Sequence, residues 1–135
     1  MRYFTLVLAL TLYLFSGVTY YIPDIQYMSL KDARQEAIDE NKLVLIEVED
    51  DNCKPCRELN TLLDTNDNIK NMINNHVKAV KINSKDADIP EKLKFIGTPT
   101  VFLIKPKNGR ILVKLQGRVA ITDLEPSLRM FIYNN

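Results

Sequence analysis

The chain has two cysteines, Cys53 and Cys56, and they stand two residues apart in the run Glu47-Val48-Glu49-Asp50-Asp51-Asn52-Cys53-Lys54-Pro55-Cys56. A pair so spaced can hold part of a metal site, staple a loop, or cycle between dithiol and disulfide. A structural zinc site wants four ligands, and His76 is the single histidine, so one chain cannot complete it. His76 reads as a surface or helix-end residue. As a staple the pair is poor, because closing so small a loop removes little entropy from the unfolded chain. Redox chemistry remains.

The residues around the pair suit that chemistry. Pro55 favours the first turn of a helix, where its missing N–H costs nothing. Cys53 then lies beside unpaired backbone N–H groups and the positive end of the helix dipole, which favours thiolate over thiol. Lys54 adds to this if its ammonium stays near. Cys56, one turn on, is placed to attack a mixed disulfide formed at Cys53, so Cys53 is the expected nucleophile and Cys56 the resolving thiol. Pro55 stiffens the turn, which favours the dithiol form and hence reduction. Asp50 and Asp51 make the approach acidic and oppose thiolate formation.

The elements that must carry this pair follow from periodicity. Leu43 to Val48 is a short apolar run rich in β-branched residues and reads as a central strand buried on both faces. Glu47 is the anomaly in it. Either it faces solvent near the strand end, or it is a buried acid placed for proton transfer. Before the strand, Ser29 is a helix N-cap, with Leu30, Ala33, Ala37 and Ile38 forming an apolar face up to Asn41. After the cysteines, Cys56, Leu59 and Leu63 share one helix face. Asp64 to Asp67 interrupts that helix and offers a new cap at Thr65 or Asn66, followed by Ile69, Met72 and Ile73.

Val77 to Ile82 reads as a strand, and Pro90 to Phe95 as a short helix. Gly97-Thr98-Pro99-Thr100 breaks it ahead of a strand from Val101 to Ile104. Asn108-Gly109 turns the chain into Ile111–Leu115. Thr122 and Glu125 read as a capping box opening a last helix with Leu124, Leu128, Phe131 and Ile132 inside. This order implies an α/β fold, a mixed sheet with helices on both faces.

Composition narrows the function classes. Of 135 residues, 46% are hydrophobic and 26% charged, enough for one ordinary core. With 18 basic against 17 acidic residues there is no clustered excess of cations, so a nucleic acid partner is not expected. From Tyr3 to Ile22 no residue is charged, and Arg2 precedes the run. Residues 1–22 therefore read as a signal peptide or an N-terminal membrane anchor, with residues 23–135 as the exported domain. Ser16, Gly17 and Thr19 are small enough for cleavage, but no Ala-x-Ala is present, and Tyr20 and Tyr21 suit a membrane interface. Both readings place the domain outside the cytoplasm, soluble or attached to the inner membrane through residues 3–22.

The strand Leu43–Val48, the Cys53-Lys54-Pro55-Cys56 helix start and Gly97-Thr98-Pro99-Thr100 before the next strand together resemble the thioredoxin superfamily. The resemblance covers about residues 28 to 133. It implies the thioredoxin fold, a central mixed sheet of four to five strands flanked by helices on both faces. It implies that Pro99 is cis, with the Thr98 backbone pairing to a substrate peptide. Glu47 holds the position of the family's acid, six residues before the first cysteine, implying a carboxyl that takes a proton from Cys56 through a water. Asn52 stands where many members carry Trp. The Asp64–Asp67 break resembles exported thioredoxin-like domains related to the C-terminal domain of DsbD.

The expected function is that of an exported thiol:disulfide oxidoreductase acting as a protein-disulfide reductase, with no cofactor beyond its own dithiol and no metal. Substrates would be protein disulfides, apocytochrome c cysteines among them. An oxidising exterior then demands a membrane electron donor. The alternatives are an oxidase or isomerase of protein disulfides, and a peptide-binding module without turnover.

Overall fold

The computed structural model describes residues 19–134, so most of the stretch 1–22, read above as a signal peptide or membrane anchor, lies outside the described residues. Among the described residues five helices and four strands follow in the order α1 (Leu30–Asp39), β1 (Leu43–Glu49), α2 (Lys54–Thr65), α3 (Asp67–His76), β2 (Val77–Asn83), β3 (Thr100–Ile104), β4 (Ile111–Gln116), α4 (Val119–Thr122) and α5 (Leu124–Tyr133). Among the described residues no helix is long and apolar enough to cross a membrane.

The strands form one mixed sheet in the order β2-β1-β3-β4. β1 runs parallel to β2 and antiparallel to β3, and β3 runs antiparallel to β4. β1 is thus central, as its apolar run requires, and residues 44–48 are all buried. Beyond β2 the segment before α1 adds a single bridge, Tyr27 to Ala79, with the Met28 N–H donating to the Ala79 carbonyl at 3.1 Å. The sheet has four strands and this rudiment of a fifth.

Alternation along β1 sends its side chains to two separate cores. Leu45 packs with Val101, Leu103 and Leu115 beneath Leu59 and Leu63 of α2, Ile69 and Ile73 of α3, and Leu124 and Leu128 of α5. Val44, Ile46 and Val48 pack on the other face with Val80, Phe102 and Ile104, covered by Ala33 and Ala37 of α1. Helices therefore lie on both faces.

The helix ends follow local chemistry. The Ser29 hydroxyl accepts the Asp32 N–H at 3.1 Å, and the Asn66 side chain accepts the Ile69 N–H at 3.0 Å, starting α3 with only Asn66 between it and α2. Asn41 takes a left-handed φ of 54°, letting Lys42 donate to the Ala37 carbonyl at 2.8 Å and close α1. Ile38, expected on the inner face, is 37% exposed. It lies on the rim of the face that Ala33 and Ala37 define.

Two expectations fail. Residues 90–95 form a turn, closed by Leu93 N–H to the Pro90 carbonyl at 2.8 Å, and no helix. So few residues before the Gly97–Pro99 break cannot repay helix nucleation. Thr122 does not cap the last helix, because the unexpected α4 ends on it and holds it in helical backbone. Its hydroxyl donates to Asp123 Oδ1 at 2.7 Å instead, and Glu125 accepts from Arg129 at 2.8 Å.

Candidate active site

β1 leaves the sheet through Asp50, Asp51 and Asn52 and delivers Cys53 to the N-terminus of α2. Cys53 is the N-cap, with extended φ and ψ of −122° and 102°. Its Sγ accepts the Cys56 N–H at 3.1 Å, so a backbone donor that α2 leaves unpaired is spent on sulfur. The two cysteines form a disulfide with S–S 2.07 Å and Cα–Cα 5.2 Å. Cys53 keeps 7% of its surface exposed and Cys56 2%. Lys54 and Asn52 are exposed, and Pro55 is half-buried in the first turn.

The flanking acids are engaged in other bonds. Asp50 accepts from the Ser84 hydroxyl at 3.0 Å and from the Asp51 N–H at 2.9 Å, and Lys85 stands 3.7 Å away. Those contacts, Ser84 first, hold its carboxyl below the usual range. Asp51 accepts from Asn83 at 3.2 Å. The pair ties the loop before Cys53 to the end of β2.

Pro99 enters from β3. Thr100 pairs with Val48 at the end of β1, which brings the Gly97–Pro99 loop to the end of the sheet from which Cys53 emerges. The Thr98–Pro99 peptide bond is cis. Pro99 is buried and Thr98 half-buried. The Pro99 carbonyl accepts the Gly117 N–H at 2.7 Å, and Thr100 Oγ1 donates to the Gly97 carbonyl at 2.7 Å, so the loop is held from both sides. Beside it, Ile96 is 93% exposed, and Arg118 stands 3.5 Å from Glu58 of α2.

Glu47 is fully buried. In phase with Leu45, it faces α2, whose inner face carries Cys56, Leu59 and Leu63. Neither carboxylate oxygen has a hydrogen-bond partner among the described residues. Burial pushes this carboxyl up to about 7; Lys81 opposes the rise, while Glu49 and Asp64 add to it. The solvent-facing alternative for Glu47 is excluded.

Lys81 and the three groups gathered around it beside Glu47 escaped the sequence reading. Lys81 is its register partner on β2, and the ammonium stands 3.9 Å from Glu47 Oε2. Lys81 Nζ donates to Asn60 Oδ1 at 2.8 Å, and Asn60 Nδ2 donates to Glu49 Oε2 at 3.1 Å. Tyr27 lays its ring 4.4 Å from Lys81 Nζ. Burial, then Glu47, Asp64 and Glu49, push its phenol upward. One signal was available: Lys81 is in phase with Val77 and Ala79, both buried, so alternation turns a lysine inward. Among the described residues no group of three or more His, Cys, Asp or Glu could hold a metal ion.

A mixed sheet between two helical layers, with a cysteine pair opening the helix after its central strand, defines a thioredoxin-fold protein with a CxxC centre. The model of the thioredoxin-like domain family matches residues 30–132, and the chain belongs to that family. No curated protein matches significantly by sequence. Among solved structures, the DsbH oxidoreductase is similar at 15% identity and a TM-score of 0.64, over 85% of this chain and 94% of that one. A thioredoxin from Thermus thermophilus is similar at 19% identity and a TM-score of 0.66, over 83% and 90%. A disulphide isomerase from Xylella fastidiosa Temecula1 is similar at 19% identity and a TM-score of 0.57, over 88% and 97%. At such identities the likeness is one of fold. Family and CxxC pair together make the chain a thioredoxin-like oxidoreductase.

Proposed function

We propose that this protein is an exported protein-disulfide reductase in which Cys53 attacks and Cys56 resolves. The observation that carries the reading is the Cys53 sulfur at the start of α2, accepting the Cys56 N–H, with a fully buried carboxyl, Glu47, on the face of β1 that α2 covers. In the reduced protein the Cys53 thiolate attacks one sulfur of a substrate disulfide. A Cys53–substrate bond forms, and the other substrate sulfur leaves as a thiolate and takes a proton from solvent. Cys56 then gives its proton through a water to ionised Glu47 and attacks Cys53 Sγ. The Cys53–Cys56 disulfide forms and the second substrate sulfur departs. Two electrons have passed to the substrate.

Glu47 suits this step because a carboxyl titrating near 7 both accepts a proton and returns it at neutral pH. The Thr98 backbone beside Pro99 would align the substrate peptide, and Asn52, Lys54 and Pro55 would border it. The uncharged segment 3–22 supports export, and a reductase outside the cytoplasm needs a membrane dithiol donor to recharge it. Misoxidised protein thiols, including those of apocytochrome c, are the substrates this reading favours.

The test is the reduction potential of the Cys53–Cys56 couple together with insulin reduction by the dithiol form. A potential below about −200 mV with turnover supports a reductase, whereas one near or above about −150 mV makes the protein an oxidant. Peptide binding without turnover, even when a chemical reductant is supplied, would make it a binding module.

A further inference from the structure

Adjacent paired strands lie about 4.8 Å apart, so register partners with long side chains on one face can meet. Glu47 and Lys81 are such partners. A lysine facing a buried carboxylate would ordinarily close to a charge-assisted hydrogen bond of about 2.8 Å. Here the gap is 3.9 Å, and the ammonium is hydrogen-bonded elsewhere. Its partner is Asn60, on the second turn of α2. The Asn60 amide is used at both ends, its oxygen accepting from Lys81 at 2.8 Å and its nitrogen donating to Glu49 at 3.1 Å. Glu49 Oε2 lies 4.0 Å from the same ammonium, and the Tyr27 ring closes another side at 4.4 Å. Three groups on three segments thus hold one cation beside the carboxyl.

We propose that Asn60 is a positioning residue that holds the Lys81 ammonium off the Glu47 carboxyl and so keeps that carboxyl able to exchange a proton. This rests on the reading of Glu47 as the proton acceptor for Cys56. A carboxylate closed onto its lysine would stay ionised at every working pH and be a weak base. With the ammonium held back, burial dominates and the carboxyl titrates near neutrality. In the oxidised protein, where Cys56 does not titrate, the charged and titratable groups facing Glu47 are Lys81 from β2, Glu49 from β1, Asp64 from α2 and Tyr27 from the segment before α1. β3 contributes Val101, which carries no charge. Of these, Lys81 alone lowers the midpoint, so where its ammonium sits governs the balance.

The experiment follows the Glu47 side-chain carboxyl by carbon NMR across pH in the oxidised protein. Asn60→Ala should free Lys81 to close on Glu47 and lower the midpoint by about one pH unit. Lys81→Met should raise it. In the Lys81→Met background Asn60→Ala should add no further shift, because the lysine through which it acts is gone. Asn60→Asp keeps an acceptor for the ammonium and should show no fall. In the dithiol protein the pH midpoint of insulin reduction should move with each carboxyl midpoint. An unchanged or raised midpoint in Asn60→Ala overturns the proposal, as does a fall that persists in the Lys81→Met background. Asn60→Ser replaces Asn60→Ala should the latter not fold. The titration needs no turnover, so a protein that reduces no insulin overturns the reductase reading while the titration still decides the role of Asn60.

Discussion

Glu47 and Lys81 face each other across the parallel β1–β2 pair, yet the lysine makes its short hydrogen bond to Asn60 and stops 3.9 Å from the carboxylate. The consequence is a wholly buried acid without a hydrogen-bond partner among the described residues, lying under the helix that starts with the two cysteines. Desolvation outweighs the nearby cation, and the carboxyl rises to about 7. An acid left this way lowers stability when it is charged, which is the pattern expected where chemistry overrides packing.

That cost should be visible in the pH dependence of stability. The folded protein binds the Glu47 proton more tightly than the unfolded chain, whose carboxyl has the ordinary value of 4.5. The stabilisation from Glu47 is complete below pH 4.5 and is lost as pH rises through about 7. Glu47→Gln, which stays neutral, should therefore gain on the wild type by about 3 kcal/mol between pH 4 and pH 8. Urea unfolding of both oxidised proteins at the two pH values measures this. A difference independent of pH would mean that folding leaves the Glu47 carboxyl at its ordinary value.

The assignment of roles to the cysteines has a direct check. Cys56→Ser should stall the reaction after the first attack, leaving Cys53 joined to its partner in a mixed disulfide that a non-reducing gel resolves. Cys53→Ser should trap nothing and reduce no insulin. If Cys53→Ser traps and Cys56→Ser does not, the nucleophile is Cys56, despite its 2% exposure.

Much of this site could be read before any coordinates, for physical reasons. The apolar run 43–48 admits few structures besides a buried central strand, and Cys53-Lys54-Pro55-Cys56 carries its own helix-start signal. The caps at Ser29 and Asn66 are local, since each side chain bonds an N–H three residues on. Asn60, Glu49, Tyr27 and Lys81 come together only through strand register and helix docking, which no local pattern encodes. Alternation turns Lys81 inward, a signal the sequence reading did not use, and which residue it meets depends on the pairing of β1 with β2. Thr122 misled because Thr-x-x-Glu marks a helix start only when its first residue is not itself helical.

Asn41 ends α1 in a left-handed conformation that side chains with a Cβ resist. Asparagine tolerates it better than alanine, and glycine better than either. Asn41→Ala should cost about 1 kcal/mol, and Asn41→Gly should be neutral or stabilising by a few tenths. Thermal unfolding of the two variants separates them. Equal losses in both would point to a side-chain contact of Asn41 in place of its backbone.

The segment before α1 is strapped to the sheet edge by α3, and the strap can be cut without harming the core. Lys70 is 8% exposed; its Nζ donates to Asp24 Oδ1 and to the Asp64 carbonyl, each at 3.3 Å. Asn74 donates to the Pro23 carbonyl at 2.7 Å. Asp24 is mostly exposed, so its ion pair with Lys70 contributes at most about 1 kcal/mol. Replacing a buried cation by an apolar side chain of similar length is often neutral, because the ammonium no longer has to be desolvated. Lys70→Met should therefore leave urea stability within about 1 kcal/mol of wild type while loosening the segment it holds. Amide exchange at Met28, whose N–H bonds the Ala79 carbonyl, should quicken several-fold, as should proteolysis between Tyr20 and Tyr27. A loss of global stability with unchanged exchange at Met28 would place Lys70 in the core of the fold and not in the strap.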